Sequence, residues 1–502
     1  MERSKNKVKD IVVIGAGVGG LATSIRLAKK GHKVSIYEAG DFIGGKCHSI
    51  VREGFTFDTG PNLLTIPAVY RDLFMKSGKR LEHILELKSV DPAFAYNFSD
   101  GKVLKLSNLS VKNNCDEIES VFGKGAGDEW HNLMQRAERM WDLSRGPFIE
   151  SELRIKNILK ELSFSKLIAI SPFISLRKYV SRYTKNKYLR MIIDRYATYS
   201  GSDPRKAPAP ILTIPFIESA FGAWHITGGI GKLSEKLGER AQEIGVRIHL
   251  NSPVEKIILK DGRAAGIKLK SGEEIISDLV VSNVDANLLY ENLIPTNFKG
   301  ARRERRKLKN LTPSFSGFSL FIGLDNSKIS GPVPKLEHHN IYFPDDYDEE
   351  FKSLFDMNIP VDDPTIYISA PKDLSLVPNE RCESWSVLVN APLHNPKSGV
   401  DWNLIEEEYA QKILNRLEEL GLKVKDRLAY FEYRSPRNLA IEVNAPGGSI
   451  YGTSSNGFLA PFKRPQNRSD IPGLYLVGGS THPGGGLPLV GISAEIVADA
   501  IG

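Results

Sequence analysis

In Val12-Val13-Ile14-Gly15-Ala16-Gly17-Val18-Gly19-Gly20, an apolar run that is typical of a buried strand leads into a G-x-G-x-x-G pattern. Gly15 permits a tight turn from strand to helix, Gly17 lets the backbone approach a pyrophosphate, and Gly20 lets the helix pack on the strand. Glu38 ends a second apolar run 18 residues after Gly20, where a carboxylate accepts hydrogen bonds from a ribose. The pattern predicts an α/β unit that binds a dinucleotide, with phosphate at the N-terminus of the helix.

A second glycine pair follows Glu38 in Gly44-Gly45-Lys46, and Gly54-Phe55-Thr56-Phe57-Asp58-Thr59-Gly60-Pro61 comes after it. This pattern resembles the FAD-containing amine oxidase and phytoene desaturase superfamily, where it reads G-G-R and then F-D-x-G-P. The resemblance implies an extended FAD whose ribose and pyrophosphate lie along this segment. Lys46 replaces the usual arginine, so a point charge is kept while the bidentate fork for phosphate is lost. Taken alone, Gly44-Gly45 also fits an ordinary turn.

The size and composition indicate a globular protein of more than one domain. The 502 residues exceed what a single core holds, and 41% hydrophobic with 25% charged residues is typical of soluble folds. The three cysteines are far apart and the ten histidines form no ligand-like cluster, so we predict no disulfide framework, no metal and a reducing cytoplasmic compartment. Residues 471–494 carry no charge, but seven glycines and three prolines exclude a transmembrane helix there.

Positive charge is concentrated in one stretch of the chain. Residues 154–190 contain ten Lys or Arg and one acid, whereas the whole chain has a net charge of +7. Apolar residues are interleaved with these charges, which fits a basic, amphipathic surface for anionic lipid headgroups. A solvated helical face explains the pattern equally well. No nucleic-acid motif accompanies the charge, so we expect no nucleic-acid partner. The localisation predicted is cytoplasmic, peripheral on the cytoplasmic membrane.

Elements typical of dinucleotide binding occur at the start, in the middle and at the end of the chain. We therefore predict an α/β protein with a Rossmann-like FAD-binding domain of glutathione-reductase type and an inserted α+β substrate domain. The FAD domain is assigned to residues 1–75, 225–295 and 440–502. The substrate domain is assigned to residues 76–224 and 296–439, with a helical, membrane-associating part near residues 150–190.

The C-terminal block Gly478-Gly479-Ser480-Thr481-His482-Pro483-Gly484-Gly485-Gly486-Leu487-Pro488 is the most specific motif. It closely resembles the bacterial-type phytoene desaturase signature centred on T-H-P-G-x-G, in which Gly485 replaces a small residue with a Cβ, often alanine. The helix after it would direct N–H groups at the flavin. His482 is a candidate base, but removing hydrogen from a hydrocarbon offers no heteroatom proton, and Pro483 with the glycines favours a turn.

The predicted site consists of cofactor contacts and an apolar tunnel, and no side chain is assigned as catalytic. The cofactor contacts are expected at Gly15, Gly17, Gly20, Glu38, Gly45, Lys46, Gly60, Pro61, Asn62, Leu63, Val254, Asn283, Gly478, Gly479, Leu489 and Val490. The tunnel wall is expected within residues 211–226, from Ile211, Leu212, Ile214, Phe216, Ile217, Phe221 and Trp224. Among these residues, contact with the substrate is predicted for Phe216, Phe221 and Trp224. Ordinary core packing explains any one of these side chains as well.

Two further motifs narrow the resemblance to one group of carotenoid desaturases. They are Trp141-Asp142-Leu143-Ser144-Arg145-Gly146-Pro147-Phe148 and Gly448-Ser449-Ile450-Tyr451-Gly452 with Gly457 and Phe458. Both look more like the 1-hydroxycarotenoid 3,4-desaturases than the phytoene desaturases. The resemblance implies an FAD-dependent enzyme that introduces a C=C bond into an acyclic or monocyclic, 1-hydroxylated carotenoid. Hydride would leave the substrate for oxidised flavin, and the protein would supply binding, orientation and exclusion of water.

Other functions stay open at this point. A phytoene or diapophytoene desaturase differs only in its substrate, and a non-redox carotenoid isomerase would use reduced flavin in the same fold. An amine oxidase would need a polar or aromatic cage for a charged amine, and no such cage is identifiable in the sequence. A redox-silent carotenoid carrier would have no use for the cofactor motifs. The electron acceptor, oxygen or quinone, and the oligomeric state are not predicted.

Overall fold

A computed structural model describes residues 7–154, 163–397 and 399–502. Three separated parts of the chain contribute to one five-stranded parallel sheet, and its strands are β1 (Asp10–Ile14), β2 (Lys33–Tyr37), β9 (Arg247–His249), β13 (Leu279–Ser282) and β19 (Leu474–Leu476), in the order β19-β13-β1-β2-β9. The four residues of β13 are all buried, as a parallel strand covered on both faces requires.

Helices cover one face of the parallel sheet and a small antiparallel sheet covers the other. The helices are α1 (Val18–Lys29), α2 (Ala68–Ser77), α9 (Gly231–Glu243) and α17 (Leu487–Ile501), which share one apolar core with the sheet. The opposite face packs on β10 (Val254–Lys260), β11 (Arg263–Leu269) and β12 (Glu274–Ile276). This arrangement confirms the α/β prediction of a dinucleotide-type layer structure.

A second, seven-stranded sheet lies beside the first. Its strands are β6 (Phe94–Asn97), β7 (Val103–Leu106), β14 (Ser316–Asp325), β15 (His339–Tyr342), β16 (Ile366–Ser369), β17 (Cys382–Ala391) and β18 (Leu428–Arg434), in the order β18-β14-β17-β16-β15-β6-β7. Neighbouring strands are antiparallel except for the β6–β15 pair. Helix α13 (Trp402–Glu419) buries its apolar stripe on this sheet, with Trp402 and Ile413 fully buried.

A helical layer packs on the other side of the seven-stranded sheet. Its helices are α3 (Val111–Phe122), α4 (Ala126–Phe148), α5 (Phe164–Ile170), α6 (Leu176–Val180), α7 (Lys187–Thr198) and α8 (Thr213–Phe221). The remaining elements are β3 (Ser49–Arg52), β4 (Phe55–Asp58), β5 (Leu87–Ser89), β8 (Trp224–Ile226), α10 (Ala286–Leu288), α11 (Arg302–Lys309), α12 (Tyr347–Phe351), α14 (Val424–Arg427), α15 (Pro436–Glu442) and α16 (Ala460–Lys463).

The sequence of residues 105–200 predicts mainly helix, with periodic apolar positions around residues 116–143 and 153–193, and the structure interrupts both periodic stretches. The periodic stretch of residues 116–143 divides at Gly123 and Gly125, whose φ angles of +96° and +91° end α3 and precede α4. Residues 153–193 were predicted as mainly helical, and their described part forms α5, α6 and most of α7 with turns between them. Residues 155–162 of that stretch lie outside the described residues.

The proposed division into two domains stays a prediction, and sheet membership supports it. Every strand of the parallel sheet falls within residues 1–75, 225–295 or 440–502, and every strand of the seven-stranded sheet within 76–224 or 296–439. Among the described residues, no helix combines the length and apolar character that a bilayer crossing requires.

Candidate functional site

A cavity of about 1700 Å³ runs from the carboxyl edge of the parallel sheet to the helical layer. In an open α/β sheet this edge is where ligands bind, because the loops after neighbouring parallel strands meet there. Gly15 follows β1, Glu38 follows β2, Asn283 follows β13 and Gly478 follows β19, and all four line the cavity. Its volume exceeds the roughly 300–1000 Å³ of an ordinary ligand pocket, which leaves room for a cofactor and a long substrate together.

The structure brings nearly all predicted cofactor contacts to this one wall. The predicted residues that line the cavity are Gly15, Gly17, Glu38, Gly45, Lys46, Gly60, Pro61, Asn62, Leu63, Val254, Asn283, Gly478, Gly479, Leu489 and Val490. Gly20 is not a wall residue, and a Cβ there would lie 2.1 Å from the Gly15 carbonyl oxygen. Gly20 therefore permits the close approach of helix to turn. Direct contact of the wall residues with a cofactor stays a prediction.

The start of α1 fits a diphosphate. Its N-cap is Gly17, and no side chain caps the free N–H groups of the first turn. A Cβ on Gly17 would lie 2.5 Å from Asn283 Nδ2, so only glycine keeps this part of the cavity open. Helix α17 also begins at the cavity, behind Gly486 and without a side-chain cap. Two uncapped helix N-termini at one cavity suit an anionic cofactor that reaches both of them.

Glu38 and Lys46 occupy fixed positions on the wall. The Glu38 carboxylate accepts hydrogen bonds from the backbone N–H groups of Ala16 and Gly40, at 2.7 and 2.9 Å. These bonds hold it beside the glycine loop, where a ribose hydroxyl would be expected. The Lys46 ammonium donates to the carbonyl oxygens of Ser449 and Ile450, at 2.9 and 2.7 Å. These two bonds connect the segment of Lys46 to that of Ser449 and Ile450, so Lys46 links two chain segments as well as contributing charge. Burial lowers the pKa of Lys46 to about 8.

The C-terminal block surrounds the start of α17. A Cβ on Gly485 would lie 2.5 Å from Cδ1 of Tyr451, and both residues line the cavity. The ring of Tyr451 therefore occupies the space that the resemblance assigns to a small side chain at position 485.

His482 is buried and is not among the described wall residues. Its Nε2 donates to the carbonyl oxygen of Ser151 at 2.9 Å, which connects the C-terminal block to the chain just after α4. Burial, with the Arg464 charge nearby, lowers the pKa of His482 to about 4 despite that hydrogen bond. A neutral, buried donor of this kind fits the turn role rather than that of a base.

The titration of His482 gives a testable stability profile. Its folded pKa of about 4 lies below the usual value of 6.5, so between these pH values the unfolded chain binds a proton that the folded protein refuses. At pH 7.5 we expect His482→Gln to be less stable than the wild type by about 1 kcal/mol, because the bond to Ser151 is weakened. Between pH 7.5 and pH 4.5 the free energy of unfolding should fall by about 2 kcal/mol more in the wild type than in the variant, because only the wild type has an imidazole at position 482 that takes up a proton on unfolding. Urea unfolding at both pH values measures this, and two parallel pH profiles would contradict it.

Part of the predicted tunnel segment lines the cavity and part of it does not, and contact of these residues with a substrate stays a prediction. Ile211, Ile214 and Ile217 line the cavity, because they lie on the same side of a 3₁₀ turn and α8. The three residues predicted to contact the substrate are not among the described residues that line the cavity. Phe216 packs on the helical core, Phe221 on Trp141, and Trp224 on the core of the parallel sheet. Within α8 the helical period turns Phe216 away from the cavity, whereas Phe221 is the last residue of that helix and Trp224 lies on β8.

Sequence reasoning missed a polar cluster in the cavity wall. Arg195 and Glu218 are 6% and 7% exposed and both line the cavity. The Arg195 guanidinium donates to the Tyr199 hydroxyl at 2.9 Å and forms no ion pair with a carboxylate of the described chain. A signal was present at Glu218, since it is the only charged residue in the apolar segment 211–224. Arg195 gave no comparable signal because it follows a long run of basic residues.

Comparisons with known proteins show the family of the chain and the kind of fold that it shares with solved structures. A model of the flavin containing amine oxidoreductase family matches residues 18–502. The chain is 32% identical to the 4,4'-diapolycopene oxygenase of Methylomonas sp, covering 99% of each protein, and 30% identical to the 1-hydroxycarotenoid 3,4-desaturase of a Flavobacterium, covering 98% of this chain and 99% of the relative. The crystal structure of an oxidoreductase from Methanosarcina mazei has a TM-score of 0.65 at 17% identity, covering 98% of this chain and 100% of that one.

The family match spans nearly the whole chain, and the two uncapped helix N-termini and the glycine-lined cavity fit the cofactor of that family. The chain therefore belongs to the flavin containing amine oxidoreductase family and is an oxidoreductase with FAD as its cofactor.

Proposed function

We propose that the protein is an FAD-dependent carotenoid desaturase that acts on an acyclic or monocyclic, 1-hydroxylated carotenoid, with 3,4-desaturation as the reaction. The observation that carries the proposal is the cavity, which continues beyond the cofactor wall along apolar side chains of the helical layer. Trp141 and Ile214 are among these side chains, and Leu388 of β17 also lines the cavity. A long apolar channel joined to a flavin site suits a polyene, whose binding depends on apolar surface rather than on polar contacts.

The motifs behind the hydroxycarotenoid resemblance lie on this wall. Trp141, Phe148, Ile450, Tyr451 and Phe458 all line the cavity. Differences at these positions would therefore act on the substrate. An amine substrate is disfavoured, because the buried Arg195 cation faces the same cavity and would repel an ammonium group, while burial raises the pKa of the nearby Glu218 to about 7 and so reduces the opposing negative charge.

The reaction makes limited chemical demands on the protein. Desaturation breaks one C–H bond on each of two neighbouring carbons and forms one C=C bond between them. Bound FAD supplies the two-electron acceptor for this oxidation. The chain's own contribution is to align the polyene in the channel and to exclude water from it, for which the apolar wall is suited. This accounts for a wall on which we assign no catalytic base.

The reaction is tested by mass spectrometry of products from purified holoenzyme and a panel of carotenoids. A desaturase yields a product two hydrogens lighter than its substrate, and we expect this product from a 1-hydroxylated carotenoid. Preference for phytoene with successive losses of two hydrogens would indicate a phytoene or diapophytoene desaturase. A product of unchanged mass would indicate an isomerase, and a gain of oxygen would indicate an oxygenase. Each of the last two results would contradict desaturation.

We also propose that the protein takes its substrate from an anionic membrane surface. Four exposed apolar side chains line the cavity: Phe173, Phe458, Leu459 and Ile441 are 67%, 44%, 41% and 66% exposed. The rings of Phe173 and Phe458 lie 4.8 Å apart. Lys166 and Lys178 are exposed in the chain segments on either side of Phe173. Apolar residues with nearby cations are suited to the headgroup region of a bilayer.

Liposome sedimentation checks this surface. We expect binding to rise with the fraction of anionic lipid and to fall as salt increases, since charges are screened over about 8–10 Å. Phe173→Ser should weaken binding several-fold through the loss of an inserted ring. Leu404→Ser is the matched control, because Leu404 is 79% exposed on α13 and is not a described wall residue. Equal binding by both variants and the wild type would leave the exposed apolar side chains of the cavity as ordinary solvated surface.

A further inference from the structure

A polar site lies in the part of the cavity wall that α7 and α8 form. Arg195 on α7 and Glu218 on α8 face the cavity from neighbouring helices. Burial raises the pKa of Glu218 to about 7, although a hydrogen bond from Tyr196 and the charge of Arg195 both oppose that rise. Tyr96 and Tyr196 connect the two side chains: the Tyr96 ring centre lies 5.9 Å from the Arg195 guanidinium carbon, and the Tyr96 hydroxyl lies 3.2 Å from the Tyr196 hydroxyl that donates to Glu218. Arg195 and Glu218 nevertheless form no ion pair in the described chain.

Arg195 is held in place by aromatic rings. Its guanidinium carbon lies 4.8 Å from the ring centre of Tyr199, 5.7 Å from that of Phe94 and 5.9 Å from that of Tyr367. These contacts and the bond to the Tyr199 hydroxyl orient the group. A guanidinium has five N–H donors, so this arrangement leaves donors available for an acceptor in the cavity.

Glu218 is also incompletely paired. Its Oε1 accepts a hydrogen bond from the Tyr196 hydroxyl. Its Oε2 is buried and has no hydrogen-bond partner among the described residues. Buried polar atoms are ordinarily hydrogen-bonded, and one left unpaired costs about 1–3 kcal/mol. An unpaired acceptor and available donors at one cavity wall are complementary to a group that both donates and accepts.

We propose that Arg195 and Glu218 bind the terminal hydroxyl group of the carotenoid, with Arg195 donating a hydrogen bond to the hydroxyl oxygen and Glu218 Oε2 accepting a hydrogen bond from the hydroxyl group. This inference rests on the proposed function and names the residues that select the substrate. A hydroxyl completes both partners, whereas an aldehyde oxygen can only accept and a hydrocarbon end leaves both unpaired. The site therefore ranks end groups in the order hydroxyl, aldehyde, hydrocarbon.

The test compares three carotenoids with the same polyene and a hydroxyl, aldehyde or hydrocarbon end. Holoenzyme is titrated with each, tryptophan fluorescence quenching reports binding, and product mass reports conversion. We expect the wild type to bind and convert the hydroxylated carotenoid about tenfold better than the hydrocarbon. Arg195→Met should remove most of that preference, and Glu218→Gln should reduce it, because an amide oxygen is a weaker acceptor than a carboxylate; both should change the hydrocarbon values by less than about threefold. Tyr188→Phe, on the same helix and hydrogen-bonded to Asp100, is the control and should behave as the wild type.

The readouts distinguish the two proposals. Conversion of all three carotenoids at equal rates overturns the hydroxyl site and leaves the desaturase proposal standing. A loss of affinity for all three in Glu218→Gln shows a purely structural role and also overturns the site. If no carotenoid loses hydrogen, desaturation is refuted, and the binding titrations alone then decide whether the hydroxyl is recognised. The flavin spectrum shows that each variant is folded, and Glu218→Gln keeps the inference testable if Arg195→Met does not fold.

Discussion

Gly17→Val is expected to yield a folded protein that retains almost no FAD. A valine Cβ at this position would lie 2.5 Å from Asn283 Nδ2, and its two methyl groups would extend into the cavity that the glycine loop surrounds. Overpacking of this kind costs about 1–3 kcal/mol, and the diphosphate would also lose its close approach to the N–H groups of α1. Together these effects should weaken FAD binding at least about a hundredfold.

A milder substitution at the same site gives the expected gradient. Glu38→Ala removes the carboxylate expected to bind the ribose, and a hydrogen bond to a charged group is worth about 1.5–3 kcal/mol. It also frees the backbone N–H groups of Ala16 and Gly40, which Glu38 now binds. We therefore expect weakened rather than abolished FAD retention, with part of the loss arising from the loosened loop.

Flavin absorbance per protein, measured after desalting, checks both variants. Lys29→Val is the control, because it places the same side chain at the exposed end of α1, away from the described cavity wall. Circular dichroism and thermal melting without added FAD show whether Gly17→Val is folded. Full flavin occupancy in Gly17→Val would mean that the diphosphate lies elsewhere.

The cofactor side of the cavity could be predicted from the sequence because its geometry is local. Gly15 turns the chain with a φ of +92°, and Gly20 packs directly on that turn. These requirements act between residues a few positions apart, so they leave a pattern that can be read in one stretch. Parallel strands then bring the loops after β1, β2, β13 and β19 to one edge, which makes the positions of Glu38, Asn283 and Gly478 predictable as well.

The role of Lys46 could not be predicted, because its partners are the carbonyl groups of Ser449 and Ile450, some 400 positions away. The same holds for Gly485, whose missing side chain is explained only by the ring of Tyr451. Backbone carbonyls and vacant space have no sequence signature. Contacts of this kind emerge only when segments that are far apart in the sequence pack together in the fold.

The part of the cavity proposed to bind the substrate was harder to predict, because α8 is apolar both on the face that lines the cavity and on the face that packs in the core. In α8, Ile214 and Ile217 face the cavity while Phe216 faces the core, and hydrophobicity alone does not distinguish the two faces. The most informative residue was the polar one. Glu218 interrupts an apolar segment, and a buried carboxyl without full pairing is the exception that marks a site.

The second large effect concerns the channel itself, and Ile217→Trp is expected to stop turnover while FAD stays bound. Ile217 lines the cavity from α8 and is not one of the predicted cofactor contacts. An indole ring there would extend into space that the polyene needs, whereas in the substrate-free protein it displaces only solvent. Because a rigid polyene cannot bend around such an obstacle, we expect conversion to fall at least about a hundredfold, equivalent to about 3 kcal/mol.

The exposed face of the same helix offers a matched control for this substitution. Ala220→Trp adds a tryptophan to α8 at an exposed position outside the described cavity wall, and it should leave conversion within about twofold of the wild type, since surface substitutions usually change little. Flavin absorbance and product mass are measured on the same preparations. If Ile217→Trp loses FAD along with activity, the channel and the cofactor site are not separable at this position. If it stays fully active, the polyene does not pass along α8, because a channel that contains the substrate cannot also accommodate an indole ring.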